Sequence, residues 1–237
     1  MNQKKSALAV AWKWTKKIFL VFFIAQLLCI VILKWINPPI TITQFVSWVS
    51  GHGLQKDYIS KKSMNPNAML AVIASEDQLF LQHNGFDWKS MKKAMEFNEK
   101  QKKKRRGGST ISQQVAKNVF LWQGRSWIRK GMEAYFTFMI ELVWGKKRII
   151  EMYLNVIEMG DGIFGIEMAA QKYFNKPAAK LTRLEAAHIA ACLPNPKVYK
   201  VKPPSAFIKR RAGRIVAQMN NLSTNADIRK LITLEKK

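Results

Sequence analysis

Two stretches of this sequence decide its fold and carry most of its informative polar residues: EDQLFLQHNGFD at residues 76–87 and GGSTISQQVAKN at residues 107–118. The first stretch places carboxylates and a histidine beside aromatic side chains. The second begins with a Gly-Gly turn and continues as a helix with polar and cationic side chains on one face. Because the N-terminus of a helix presents free N–H groups, the second stretch predicts an anion-binding site. Acid-base groups next to such a site indicate chemistry on a substrate that carries phosphate.

Helical periodicity dominates the chain after residue 67 and predicts a nearly all-α domain around one core. Thr110 with Gln113, and Thr182 with Glu185, form the capping-box pattern that opens a helix. We find no convincing strand pair and no repeat. Further helices are predicted from Pro66 to Glu76, from Trp88 to Phe97, after Ser126, from Lys146 to Glu158, from Ile166 to Tyr173 and from Ile208 to Leu222.

An apolar segment near the N-terminus predicts a membrane anchor. Residues 18–33 are apolar except for Gln26, and the flanking tryptophans extend the segment to about 22 residues, or about 33 Å of helix. The lysines before it place the N-terminus in the cytoplasm and the rest of the chain outside. The alternative, a cleaved signal peptide, lacks a small-residue cleavage site. We expect a cytoplasmic N-terminus over 1–17, a transmembrane helix over 18–35, a linker and membrane-proximal segment over 36–66, and a folded domain over 67–237.

The charge balance is strongly basic. Lys and Arg number 40 against 15 Asp and Glu, which gives a net charge of +25 over 237 residues. Such an excess indicates an anionic partner, namely nucleic acid, a membrane surface or an anionic substrate. The two cysteines, Cys29 and Cys192, have no metal-ligand spacing and indicate no disulfide framework.

Glu76 is the first candidate for acid-base chemistry. A carboxylate near aromatic side chains is partly desolvated, which raises its pKa and suits a general base. Position alone favours the alternative, an exposed glutamate at a helix end. His83 is open to the same two interpretations, and we interpret it as a structural hydrogen-bond partner.

A second carboxylate is ambiguous on residue chemistry alone. Glu133 follows Arg129 and Lys130 at helical spacing, so its alternative interpretation is a surface ion pair. Glu151 lies on a polar stripe, so its alternative is a solvated helix face. A metal ion here would need oxygen ligands, because His and Cys are sparse.

The segment GDGIFG at residues 160–165 matches the dinucleotide-binding fingerprint literally. That fingerprint requires a preceding strand, whereas residues 146–159 have a helical period. We therefore expect no dinucleotide site.

Five blocks in this order resemble the family 51 glycosyltransferases, which polymerise peptidoglycan. The resemblance covers about Ala68 to Pro204, and Asn175 departs from it where the family has glycine. The blocks are Glu-Asp-x-x-Phe-x-x-His-x-Gly at 76–85, Gly-Gly-Ser-Thr-Ile-x-Gln-Gln-x-x-Lys-Asn at 107–118, Arg-Lys-x-x-Glu at 129–133, Lys-x-x-Ile-x-Glu-x-Tyr-Leu-Asn at 146–155, and the segment 165–174.

The resemblance implies a lysozyme-like helical fold, with 67–237 as a monofunctional glycosyltransferase domain. It implies lipid II as the substrate and the growing chain as the donor. Glu76 is then the base that takes the proton of the acceptor 4-hydroxyl, Glu133 the second essential carboxylate, and Glu151 structural. Candidates for binding the pyrophosphate are Ser109, Thr110, Gln113, Gln114, Lys117, Asn118, Arg125, Arg129 and Lys130, and supporting residues are Asp77, Phe80 and His83.

The resemblance also sets expectations for partners and location. Family members often need a divalent cation such as Mg²⁺ or Mn²⁺, whose ligands we do not assign, and no organic cofactor. Expected partners are lipid II, the nascent glycan, membrane lipids and other cell-wall synthesis proteins, with no nucleic acid. The expected place is the bacterial inner (cytoplasmic) membrane, crossed once, with the catalytic domain in the periplasm. Phe120, Leu121, Trp122 and Trp127 either dip into the bilayer or belong to the core.

Two rival functions remain at this point. One is a lysozyme-like enzyme that cleaves glycan with Glu76 as acid, although a neutral glycan gives the cationic residues no pyrophosphate to bind. The other is a membrane-tethered nucleic-acid binder, which the outward orientation of the basic residues disfavours.

Overall fold

The computed structural model describes residues 2–101, 107–124 and 126–233 and divides the chain into two units, residues 1–37 and 38–237. The first unit is helix α1 (Asn2–Ile32) and the turn that follows it. Within α1, the 26 residues from Ala7 to Ile32 are long and apolar enough to cross a membrane. The helix thus begins well before the predicted transmembrane segment, and residues 33–35 lie in the turn.

The second unit is built mainly from helices, which confirms the predicted all-α class. Two 3-10 turns (Lys61–Ser63 and Ala178–Lys180) connect some of them. The helices are α2 (Ile42–Val49), α3 (Pro66–Glu76), α4 (Trp88–Lys100), α5 (Ile111–Phe120), α6 (Trp127–Val143), α7 (Gly145–Val156), α8 (Ile166–Phe174), α9 (Arg183–Cys192), α10 (Ala206–Leu222) and α11 (Ala226–Ile232).

Helix α3 is the centre of this unit. Asn65 caps it by accepting a hydrogen bond from Asn67 N at 2.7 Å, and Pro66 occupies the first helical position, where its missing N–H costs nothing. Residues 68–74 are buried on every side, as expected for a helix without a polar stripe. Helices α7, α9 and α10 pack around it. The core therefore holds α3 in place and fixes the position of Glu76 at its end.

A small sheet contradicts the expectation that the chain lacks strand pairs. Strand β3 (Ile163–Phe164) lies between β1 (Gln55–Lys56), which is parallel to it, and β2 (Glu158–Gly160), which is antiparallel. Strands of two or three residues are too short to show a period of two in the sequence. The predicted helix over 146–158 accordingly ends at Val156, and Glu158 belongs to β2.

The glycines of the GDGIFG segment, residues 160–165, allow the chain to form this small sheet. Gly162 has φ of +68°, and a Cβ there would collide with the carbonyl oxygen of His52. Only glycine permits both this backbone conformation and this approach of the chain. The pattern GDGIFG therefore has a structural cause: it forms the turn of the antiparallel pair β2–β3, instead of the strand-to-helix turn of a dinucleotide site.

The segment expected to be a linker, 36–66, contains helix α2. Thr41 and Gln44 form a capping box at its start, and α2 packs against α5. Its orientation is inverted, because Gln44 and Ser47 are buried whereas Phe45 and Trp48 are exposed. Neither this helix nor α11 near the C-terminus was predicted from the sequence.

Candidate active site

Glu76 is the last residue of α3 and is partly buried. Gln114 on α5 donates a hydrogen bond from Nε2 to Glu76 Oε2 at 2.9 Å. Burial raises the pKa of Glu76, and the hydrogen bond from Gln114 and the charge of Arg211 on α10 oppose this rise. The alternative interpretation, a solvent-exposed glutamate, is therefore wrong.

Asp77 and His83 connect the loop after α3 to the start of α5 by hydrogen bonds. His83 Nδ1 accepts from Gly85 N at 3.2 Å, so its Nε2 carries the proton and donates to Asp77 Oδ1 at 2.9 Å. Ile111 N, at the start of α5, donates to Asp77 Oδ2 at 3.0 Å. One of the free N–H groups that we predicted for a substrate anion is thus taken by the carboxylate of Asp77.

Phe80 is fully buried in the same loop, and the ammonium of Lys146 lies 4.6 Å from the centre of its ring. Lys146 also donates to Glu141 at 2.6 Å. This places the aromatic ring of the first motif against the lysine of the fourth.

The predicted capping box at the start of α5 is present. Gln113 N donates to Thr110 Oγ1 at 3.1 Å, and Thr110 N donates to Gln113 Oε1 at 3.0 Å. Thr110 Oγ1 also donates to the carbonyl of Gly85 at 2.7 Å. Both side chains are buried and occupied by these bonds, which weakens the expectation that they bind substrate.

Glu133 on α6 lies among cations and is only 3% exposed. Arg129 donates to it at 3.0 Å, and Lys130 also forms an ion pair with it. Lys117 on α5 is close enough for Glu133, Arg129 and Lys130 to act on it electrostatically; burial is the largest effect and lowers the pKa of Lys117. The predicted ion pair is present, but it is buried and not on the surface. The carboxylate of Glu133 therefore holds the side chains of Arg129 and Lys130 in position instead of facing water.

Two cavities are lined by Glu76 and by its hydrogen-bond partner Gln114, respectively. One, of about 380 Å³, is lined by Glu76, Ser109 and Thr110. The other, of about 450 Å³, is lined by Gln114, Lys117 and Asn118. Gln114 links them, because its side chain also bonds to Glu76. The structure therefore places Glu76 and Lys117 at two cavities that the side chain of Gln114 connects.

Several residues that line the larger of these cavities were not predicted from the sequence. The larger cavity is lined by Thr43 and Ser47 of α2 and by Ser50, which follows the last residue of α2. His52, Glu158 and Lys197 also line it. The residues in and next to α2 were not predicted because 36–66 was interpreted as a linker. Only the capping pattern of Thr41 and Gln44 would have indicated this helix. Arg125, a predicted pyrophosphate contact, and the five consecutive Lys and Arg residues at 102–106 lie outside the described residues.

The aromatic residues after α5 divide between core and surface. Leu121 is fully buried, and Phe120 stacks on Phe136 with ring centres 4.6 Å apart. Trp122 is exposed, and Trp127 is 92% exposed. Phe120 and Leu121 therefore belong to the core, whereas Trp122 and Trp127 do not, and contact of these tryptophans with the bilayer stays a prediction.

A protein-bound metal finds no ready set of ligands in the described part of the chain. No group of three or more His, Cys, Asp or Glu side chains is placed to hold an ion there. Asp77 and Glu133 are already engaged by hydrogen bonds and ion pairs. These residues do not fit a metal held by the protein alone, and the expected divalent cation stays a prediction.

Comparison with known proteins places this site in context. The family model described as "Transglycosylase" matches residues 43–220. A protein of Shewanella oneidensis named "Biosynthetic peptidoglycan transglycosylase" is 47% identical over 218 residues, covering 88% of this chain and 91% of that protein. Proteins of the same name from Mannheimia succiniciproducens and Escherichia coli are 54% identical over 169 residues and 53% identical over 182 residues. The alignments cover 71% and 76% of this chain, and 69% and 75% of the respective relatives.

Proposed function

The chain belongs to the transglycosylase family, and we propose that it polymerises lipid II into β-1,4-linked glycan with Glu76 as the general base. It is a peptidoglycan glycosyltransferase with a lysozyme-like helical domain. The observation that carries the assignment of residues is the partly buried Glu76, hydrogen-bonded to the helix that also carries Lys117.

The first chemical step requires a base beside the acceptor sugar. Glu76 lines a cavity, and burial raises its pKa, which brings the carboxylate closer to the range in which it takes and releases protons efficiently. In the proposed step it takes the proton of the acceptor 4-hydroxyl. The hydroxyl oxygen then forms a bond to the anomeric carbon of the donor, whose configuration inverts from α to β.

The second requirement is a site for the leaving group. As the bond from the anomeric carbon to the pyrophosphate breaks, the electron pair leaves with the lipid pyrophosphate and negative charge develops on its oxygens. Lys117, Arg129 and Lys130 supply three positive charges around the single carboxylate of Glu133. This excess of positive charge, fixed before substrate binds, suits stabilisation of the leaving anion. No step here uses a metal ion.

Incubating the full-length chain with lipid II tests the proposal. We expect a ladder of glycan polymers and release of undecaprenyl pyrophosphate, because the base and the cations serve transfer to a second sugar. A parallel sample with a chelator measures whether a divalent cation is needed. Cleavage of finished glycan strands without polymer formation would instead establish the lytic alternative, which the names of the relatives do not favour.

We also propose that the domain works at the outer surface of the cytoplasmic membrane, anchored by α1. Two of its helices expose apolar side chains: Phe45, Trp48 and Val49 on α2, and Trp127, Ile128, Phe138 and Leu142 on α6. Gln123, in the loop before α6, donates to Thr43 of α2 at 2.8 Å, so the start of α6 and α2 are neighbours. Exposed apolar residues suit insertion among lipid headgroups, where a lipid-linked substrate must be reached.

Replacing Ile128 by glutamine should raise KM for lipid II in vesicles about threefold to tenfold and leave kcat unchanged, because an exposed apolar contact with lipid is lost. Leu184→Gln is the matched control, since Leu184 is also exposed and also occupies the second position of a helix. Steady-state kinetics on vesicles of anionic phospholipid measure both variants. Equal KM values for the two would place α6 away from the bilayer.

A further inference from the structure

Three side chains from three helices form a hydrogen-bonded series that ends on Glu76. The hydroxyl of Tyr153 on α7 donates to Gln114 Oε1 at 3.2 Å, and Gln114 Nε2 donates to Glu76 Oε2 at 2.9 Å. Tyr153 is 0% exposed. Both ends of the Gln114 amide are therefore engaged by protein groups.

The orientation of this amide matters for the charge on Glu76. A glutamine amide has an acceptor at one end and donors at the other. With the oxygen bonded to Tyr153, the NH₂ group must face Glu76, where it stabilises the ionised carboxylate. The reverse orientation would put the amide oxygen against a carboxylate oxygen, which is favourable only when Glu76 carries a proton.

We propose that Tyr153 is a positioning residue whose hydroxyl fixes the Gln114 amide and so keeps Glu76 in the ionised form that accepts a proton. This inference rests on the proposed role of Glu76. It assigns Gln114 to the support of the base, in place of the pyrophosphate contact that the sequence suggested. Tyr153 never touches the substrate in this arrangement.

Tyr153 stays a donor under all working conditions. Burial raises the pKa of Tyr153 well above its ordinary value, and the nearby carboxylates Glu76 and Asp77 raise it further. The other groups that act on Glu76 are the Ser75 hydroxyl and Arg211 of α10, which lower its pKa, and Asp77, which raises it. None of these is altered when only the hydroxyl of Tyr153 is removed.

Tyr153→Phe removes that hydroxyl and keeps the ring that fills the core. The Gln114 amide is then free to turn, so the protonated form of Glu76 becomes more favourable. We expect the acidic limb of kcat/KM for lipid II to move to higher pH by about one unit. Activity below the limb should fall about tenfold, and activity on the plateau should stay within a few-fold of the wild type.

Tyr58→Phe is the matched control, because its hydroxyl also donates to a glutamine oxygen, Gln44 Oε1 at 2.8 Å, in a pair that does not touch Glu76. Its pH profile should match that of the wild type. Gln114→Leu, which removes the donor itself, should move the acidic limb in the same direction as Tyr153→Phe, and an unchanged limb in Gln114→Leu overturns the inference even where Tyr153→Phe fails to fold.

A folded Tyr153→Phe variant that loses activity equally at every pH, or keeps the wild-type profile, overturns the inference. Its failure is separable from failure of the proposed function. If Glu76→Gln is inactive but the limb does not move, only the positioning role is lost. If Glu76→Gln is fully active, the limb does not belong to Glu76 and both ideas fall.

Discussion

Glu76→Gln should lower the rate of polymerisation by about a thousandfold while the protein stays folded. Glutamine has the same shape, and its oxygen still accepts the hydrogen bond from Gln114, but it cannot take the proton of the acceptor hydroxyl. The lipid II assay at matched enzyme concentration measures the loss. Glu185→Gln is a suitable control, because Glu185 belongs to the capping box of α9, which glutamine preserves.

The same variant should be more stable than the wild type at neutral pH. Burial places the folded-state pKa of Glu76 above its unfolded value, so the stability that the protonated group contributes is lost as pH rises through the folded-state pKa. Glutamine escapes this loss. The midpoint of thermal unfolding should therefore be higher in Glu76→Gln at pH 8, and the difference should shrink as the pH is lowered. Substantial polymerisation by a folded Glu76→Gln variant would remove Glu76 from the role of base.

Lys117→Met should lower kcat about a hundredfold to a thousandfold. The lysine is partly buried, lines the cavity of about 450 Å³ and supplies one of the three positive charges around Glu133. Methionine fills similar space without charge, so the developing charge on the pyrophosphate loses a nearby partner. Single-turnover measurements with lipid II separate this effect from weaker binding.

Lys172→Met provides the comparison, because Lys172 is exposed on α8 and lines none of the cavities described above. Its rate should equal that of the wild type, whereas Lys117→Arg should retain part of the activity because the charge remains. An unchanged rate in Lys117→Met would separate this lysine from the leaving group.

Capping pairs and apolar runs, which are local sequence patterns, predicted several helices of the fold. Helices α5 and α9 were predicted from the Thr-x-x-Gln and Thr-x-x-Glu capping pairs, and both boxes are present. Helix α3 was predicted from its apolar run, and it has the expected ends, Pro66 and Glu76. Each of these patterns lies within a few residues of the structure that it determines.

Features that depend on distant parts of the chain were not predictable in the same way. Strand β1 pairs with β3 across more than a hundred residues, and neither strand is long enough to have a period. The burial of Glu133 depends on how α5 packs against α6, whereas the sequence shows only its spacing from Arg129 and Lys130. The bond from Tyr153 to Gln114 joins two motifs that are adjacent only after folding.

In helix α2, polar side chains are buried and apolar side chains are exposed, which is the reverse of what hydropathy predicts. Gln44 is fully buried in the domain while Trp48 points away from it, so each side of the helix has the composition usually found on the opposite one. In water alone, such a helix would expose the very groups that normally drive collapse. If the domain rests on the membrane as proposed, the exposed apolar side of α2 would lie in a medium of low polarity, and the two sides of this one helix would suit two different solvents.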